Sequence, residues 1–239
     1  LLAGAGAAGP ALEGGSVRTG MRAENGAVDS VTTENGRLKA HVIGETEAKG
    51  ICGSGIIDVI AELYRTSIIS SKGQFVREGK RVAHDEHGMG RYILATAAES
   101  ETGREISITE VDIDSFIRAK AALFSAINIM LSSLDFDVSM IDDVYVAGGI
   151  GSGINMKNAV HIGMFPDIPL EKFHYIGNSS LSGAYTMLLS RDAERKCYEL
   201  ASNMTYLELS TVPSYMDEFV ACCFIPHTDR TLFPSVTEA

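Results

Sequence analysis

"VYVAGGIGSGIN", residues 144–155, is a short β-branched and aromatic run, then a glycine turn, then the start of a helix. A strand ending in Gly148-Gly149 opens its backbone to a ligand, because no Cβ stands in the way. The helix that follows would aim its first free N–H groups at an anion or a polar ring. Ligands on open α/β sheets gather at such carboxyl ends of strands. The local chemistry serves two readings equally. One is a ligand site at the Gly148-Gly149 strand end; the other is a tight strand-to-helix turn with no ligand.

Moving outward, the same pattern repeats on the C-terminal side. "KFHYIG" reads as a strand, "SSLSGAYTMLLSRDAERKCYEL" as one helix, "MTYLELS" as a strand and "SYMDEFVACCFI" as a helix. This order predicts a partly parallel sheet with helices packed on it. On the N-terminal side, "SVRTGMRA", "AVDSVTT" and "RLKAHVI" are separated by Asn25-Gly26 and Asn35-Gly36. Asn-Gly pairs suit type I′ hairpin turns, so a three-stranded antiparallel meander is expected. In "GICGSGIIDVIAELYRTSII" the apolar residues Ile56, Ile57, Val59, Ile60, Leu63 and Tyr64 recur with a helical period, with Ser54 as the expected N-cap. Residues 71–90 read as a polar, exposed excursion, and "RYILAT" with "EISIT" as a strand pair. Thr109 and Asp112 make a capping box for a long helix to about Leu134, whose apolar second half belongs in the middle of the domain. The fold class is α/β, α+β overall.

The bulk properties exclude several functions. A net charge of -11 over 239 residues argues against a nucleic-acid or acidic-membrane surface. The densest apolar helix carries Arg118 and Lys120 and is too short to span a bilayer. The four cysteines (Cys52, Cys197, Cys222 and Cys223) form no C-x-x-C and no four-ligand spacing. They read as reduced thiols of a cytoplasmic protein, with no zinc or iron–sulfur cluster in this chain. His84 and His87 read as solvated loop histidines. A G-x-G-x-x-G occurs at Gly4, Gly6 and Gly9, but Pro10 and Glu13-Gly14-Gly15 leave no helix to carry the dinucleotide fingerprint. There is no Walker A loop, no G-x-S-x-G and no D-x-G-[ST], so these patterns name no catalytic acid, base or nucleophile. The chain starts without Met on two apolar residues and reads as a C-terminal fragment.

Six co-linear motifs together narrow the reading: "AAGPALEGGSVRTGMRA", "GICGSGIID", "IRAKAA", "VYVAGGIGSGI", "IGNSSLSGA" and "FIPHTD". They resemble the C-terminal domain of reductive activators of corrinoid proteins, within the actin, sugar-kinase and heat-shock-chaperone ATPase superfamily. The resemblance covers residues 1–239 and implies one ribonuclease-H-like lobe of an ATPase-type domain. It implies that Gly148, Gly149, Gly151 and Ser152 match the adenosine motif. It places the "AAGPALEGG" segment beside the nucleotide cleft, and "SSLSGAYTMLL" on the other lobe at the hinge. Lys120, on a helix facing the adenosine side, is either a nucleotide contact or a snorkelling surface lysine. ATP with magnesium, a two-iron two-sulfur cluster in a preceding ferredoxin domain, a corrinoid protein partner and a homodimer are further expectations. The alternative is a non-catalytic, actin-like nucleotide-binding or docking module. Activators of 2-hydroxyacyl-CoA dehydratases hold a four-iron cluster on ATPase-domain cysteines, and this spacing offers no such ligands.

Overall fold

The structure, a computed structural model, describes residues 1–34, 36–149 and 153–236. In chain order the elements are β1 (Leu2–Gly4), a 3-10 turn (Pro10–Glu13), β2 (Ala27–Glu34), β3 (Arg37–Val42), β4 (Gly50–Ile51) and α1 (Gly53–Arg65). There follow β5 (Val82–His84), β6 (Gly90–Ala95), β7 (Ile106–Thr109) and α2 (Glu110–Ser132). The α/β half comprises β8 (Val144–Val146), α3 (Met156–His161), β9 (Phe173–Tyr175), α4 (Ser179–Leu189), α5 (Arg191–Ser202), β10 (Thr205–Leu207) and α6 (Tyr215–Cys222). The strands form sheets ordered β3-β2-β4 and β5-β6-β7, and two parallel pairs, β1-β10 and β8-β9.

Helix α1 is the centre of the core. Ile56, Ile57, Val59, Ile60, Ala61 and Leu63 are each no more than 1% exposed, and burying one Ile or Leu contributes about 1.5–3 kcal/mol. The helix lies directly on β2, and a Cβ on Gly55 would fall 2.2 Å from the Val28 carbonyl oxygen. Helix α2 starts on the expected capping box: the Asp112 N–H donates to Thr109 Oγ1 at 3.2 Å, and the Thr109 N–H donates to Asp112 Oδ2 at 2.9 Å. Farther along, Phe124 packs with Phe233 and the α6 residue Cys222. The C-terminal segment is thereby bound to the long helix.

Three expectations are corrected. The first stretch of the meander, "SVRTGMRA", is not a strand. Its Gly20 runs so close to the turn at Gly14 that an added Cβ would lie 2.0 Å from the Gly14 carbonyl oxygen. Residues 19–21 make only an isolated bridge to Ile51, and the third strand of that sheet is β4, parallel to β2. Next, the N-cap of α1 is Cys52, not Ser54, and no side chain caps it. Last, the single helix expected over 179–200 is two. Ser190 is extended and accepts the Ala193 N–H at 3.3 Å, so it starts α5, with Asp192 and Glu194 in the first turn. The G-x-G-x-x-G segment leads only into the 3-10 turn, with no helix of the fingerprint type. Asn35 lies outside the described residues.

Helices α4 and α5 contain no buried residue, and Leu188 is 85% exposed. Leu181, Tyr185, Leu189, Tyr198 and Tyr206 extend this apolar exposure. No helix among the described residues is long and apolar enough to cross a membrane.

Candidate functional site

A cleft of about 870 Å³ opens between the two halves of the chain, within the roughly 300–1,000 Å³ range of small-molecule sites. One wall is the turn at Glu13, Gly14 and Gly15 together with Gly20, Met21, Arg22 and Ala23. Its floor includes Asp29 of β2 and Ile43, with Cys52 and the first residues of α1, Gly53 and Ser54. Ala147, Gly148, Gly149 and Gly153 form the opposite side. Two successive strand–glycine–helix turns, β4 into α1 and β8 toward α3, thus meet at one cleft. The Gly20–Gly14 approach that breaks the expected strand is what folds residues 20–23 into its wall.

Gly148 and Gly149 have different reasons to be glycine. Gly148 has φ +111°, a conformation side chains rarely adopt, and its carbonyl accepts the Tyr175 hydroxyl at 2.7 Å. Gly149 is not in that left-handed region, and a Cβ there would meet no described atom within 4 Å. Neither backbone strain nor packing in the described protein requires a glycine at 149. The space beside it belongs to the cleft.

The charged lining is Glu13, Asp29 and Arg22. Asp29 is bonded to His41 Nδ1 at 2.6 Å, and this partner raises the His41 pKa. The first turn of α1 has no side-chain cap, so its N-terminal amides present the positive end of the helix dipole to the cleft. The arrangement can take a polar, partly anionic molecule with an apolar or aromatic portion near Gly148 and Gly149.

Of the sequence-predicted residues, Gly148 and Gly149 line this cleft, whereas Gly151 and Ser152 lie outside the described residues. Lys120 is not among the lining residues, and it is not a snorkelling surface lysine either. It is 1% exposed, and Nζ donates to the carbonyls of Phe224 and Pro226 at 2.5 and 2.6 Å. Burial pushes its pKa down to about 7. Its role is to tie the "FIPHTD" segment to α2. Cys52, Gly53 and Ser54 were missed as site residues. Their signal was present in "GICGSG", a strand ending in glycine before a helix, the same pattern as residues 144–155.

One Cys/His/Glu group occurs among the described residues: Glu218, Cys222 and His227. It does not fit a metal. The Asp229 N–H donates to His227 Nδ1 at 2.9 Å, so Nδ1 is the acceptor and Nε2 carries the hydrogen. Nε2 lies 3.4 Å from Glu218 Oε1 without a hydrogen bond, and a histidine ligating through Nε2 would need the opposite tautomer. His84 and His87 stand near Glu78 and Glu86 in the exposed excursion and join no such group.

Comparison with known proteins places this geometry. Residues 1–237 match the family model described as the C-terminal domain of RACo, the ASKHA domain. A solved structure, "Reductive activator for corrinoid,iron-sulfur protein", superposes with a TM-score of 0.91 at 47% identity, covering 98% of this chain and 38% of that one. The "Corrinoid activation enzyme RamQ" of Eubacterium limosum is 34% identical over 90% of this chain and 37% of its own length. The "[Co(II) methylated amine-specific corrinoid protein] reductase" of Methanosarcina barkeri is 25% identical over 90% of this chain and 40% of its own. The chain thus spans about two fifths of the curated relatives it matches. On its fold, its cleft and a match along nearly its whole length, the chain belongs to the family of RACo C-terminal ASKHA domains.

Proposed function

We propose that the cleft holds an adenine nucleotide and that this chain is the adenosine-side lobe of an ATP-dependent reductive activator. The longer protein would return inactive Co(II) corrinoid protein of a methyltransferase or O-demethylase system to Co(I), in the cytoplasm. The observation that carries this reading is the cleft at which Gly148 and Gly149, at the end of β8, meet Gly53 and Ser54 at the uncapped start of α1. A nucleoside fits beside Gly148 and Gly149. Arg22 and the uncapped first turn of α1 offer positive charge toward phosphates. Glu13 and Asp29 are carboxylates available to hydroxyl groups.

Among the described residues no three cysteines come together. In this reading the two-iron two-sulfur cluster, and the residues that hold magnesium and the terminal phosphates, belong to parts of the longer protein outside this chain. The exposed apolar face of α4 and α5 is assigned to contact with the other lobe. In this reading ATP favours the conformation of the activator–corrinoid complex in which cobalt is easier to reduce. That shift is limited by the difference in ATP affinity between the two states, and about 5.5 kcal/mol is needed to move a 1:99 equilibrium to 99:1.

The first test uses this chain by itself. Its cleft has a single basic side chain, Arg22, among the described lining residues, so it should bind ATP weakly or not at all and release no phosphate. Calorimetry and a phosphate-release assay measure both. Tight ATP binding, or steady hydrolysis by this chain alone, would contradict the division of the site between two lobes.

A further inference from the structure

Part of the cleft's floor and one end of its Gly148–Gly149 side are the ends of neighbouring helices. Gly53 and Ser54 open α1, and Gly153 lies just before α3. There the floor and that side touch, since a Cβ on Gly153 would come 3.2 Å from Ser54 Oγ. One turn deeper they are joined by a buried polar chain. Asn158 Nδ2 of α3 donates to Asp58 Oδ1 of α1 at 2.7 Å, and the Val31 N–H of β2 donates to Asp58 Oδ2 at 3.1 Å. Arg65 Nη2 donates to Asn158 Oδ1 at 2.8 Å, while Arg65 Nη1 pairs with Glu62, whose Oε2 accepts the Thr33 hydroxyl at 2.6 Å. Asp58 and Asn158 are each 3% exposed.

A buried, charged network is a poor source of net stability, because apolar side chains of similar volume usually serve as well or better. What it supplies is geometry. Its members pair across β2, α1 and α3. Burial raises the Asp58 pKa, and the bonds from Asn158 and Val31 oppose that rise. We infer that Asp58, Asn158 and Arg65 are positioning residues: a strut that fixes α3, and with it the Gly153 side, against the α1 floor and so sets the shape of the nucleotide cleft. This inference rests on the nucleotide reading above.

The order of donors and acceptors gives a discriminating test in the full-length protein. Asp58→Asn keeps the shape, but one bond must fail. If the oxygen of the introduced amide accepts from Val31, its nitrogen meets the Asn158 Nδ2 donor, and the reverse orientation sets a donor against Val31. The double variant Asp58→Asn/Asn158→Asp restores the whole chain. Val31 then donates to the new amide oxygen, the amide nitrogen donates to the new carboxylate, and Arg65 donates to its second oxygen. ATP affinity is measured by calorimetry on protein shown to be folded by circular dichroism. Wild type binds ATP, Asp58→Asn weakens it about tenfold or more (about 1.4 kcal/mol per decade), and the double variant returns to near wild type. Should Asp58→Asn not fold, Asn158→Ser takes its place. A folded single variant with wild-type affinity overturns the strut, as does a folded double variant as weak as the single. Absence of ATP binding by wild type would instead defeat the nucleotide reading itself.

Discussion

Gly149→Val in the full-length protein is expected to keep its fold, lose ATP affinity at least roughly 100-fold (about 2.7 kcal/mol) and show no ATP-stimulated corrinoid reduction. The valine methyl groups would stand in the space where the nucleoside must approach, at the end of β8. Gly149 is not left-handed and an added Cβ meets no described atom within 4 Å, so the substitution strains neither backbone nor core. Gly148→Val is the contrasting variant. Its φ of +111° adds strain of about 1–3 kcal/mol, and its losses would mix folding with binding. The iron–sulfur cluster proposed for the longer protein should remain reducible in both. A folded Gly149→Val protein with unchanged ATP affinity would reduce residues 144–155 to a tight turn.

The second large effect concerns Lys120, and it is one of stability. Lys120→Met removes the donor from the Phe224 and Pro226 carbonyls and should destabilise the protein by roughly 2–4 kcal/mol at pH 9. At pH 7 the loss should be smaller. The folded-state pKa lies near 7, below the ordinary 10.5, so between those values the unfolded chain binds a proton that the folded chain does not. Wild-type stability from this group therefore rises with pH across that window, by up to about 1.4 kcal/mol per unit, and below pH 7 the desolvation cost is borne in full. Urea unfolding of both proteins at pH 7 and 9 measures the difference. A wild-type advantage that stays constant or shrinks with pH would contradict the buried, carbonyl-bonded amine. ATP affinity of the folded variant should be unchanged, because Lys120 does not line the cleft.

The local pattern of the chain was largely legible in its residues. The period of Ile56, Ile57, Val59, Ile60 and Leu63, the Thr109–Asp112 capping box and the strand–glycine–helix run at 144–155 each carry their structure in neighbouring side chains. What failed was decided by distant contacts. Residues 16–23 have strand-like composition, but their course is set by Gly20 pressing on Gly14, and no local pattern records that approach. Lys120, on a helix with an apolar second half, reads as a nucleotide contact or a snorkelling surface lysine. Only the fold brings the carbonyls of Phe224 and Pro226, more than a hundred positions away, to its Nζ. The break at Ser190 was legible, since a serine followed by Asp192 and Glu194 is a helix-start signal. Half of the site was equally visible at "GICGSG", but its meeting with Gly148 and Gly149 needed the tertiary structure.

The most direct test of the central claim is a titration of ATP into the full-length protein with its Co(II) corrinoid partner and a reductant, following Co(I) absorbance. Co(I) should form in an ATP-dependent manner, saturating with ATP, and the signal should vanish in Gly149→Val. Co(I) formation that is independent of ATP, or ATP binding that leaves cobalt as Co(II), would contradict the assignment of this lobe to an ATP-dependent reductive activator.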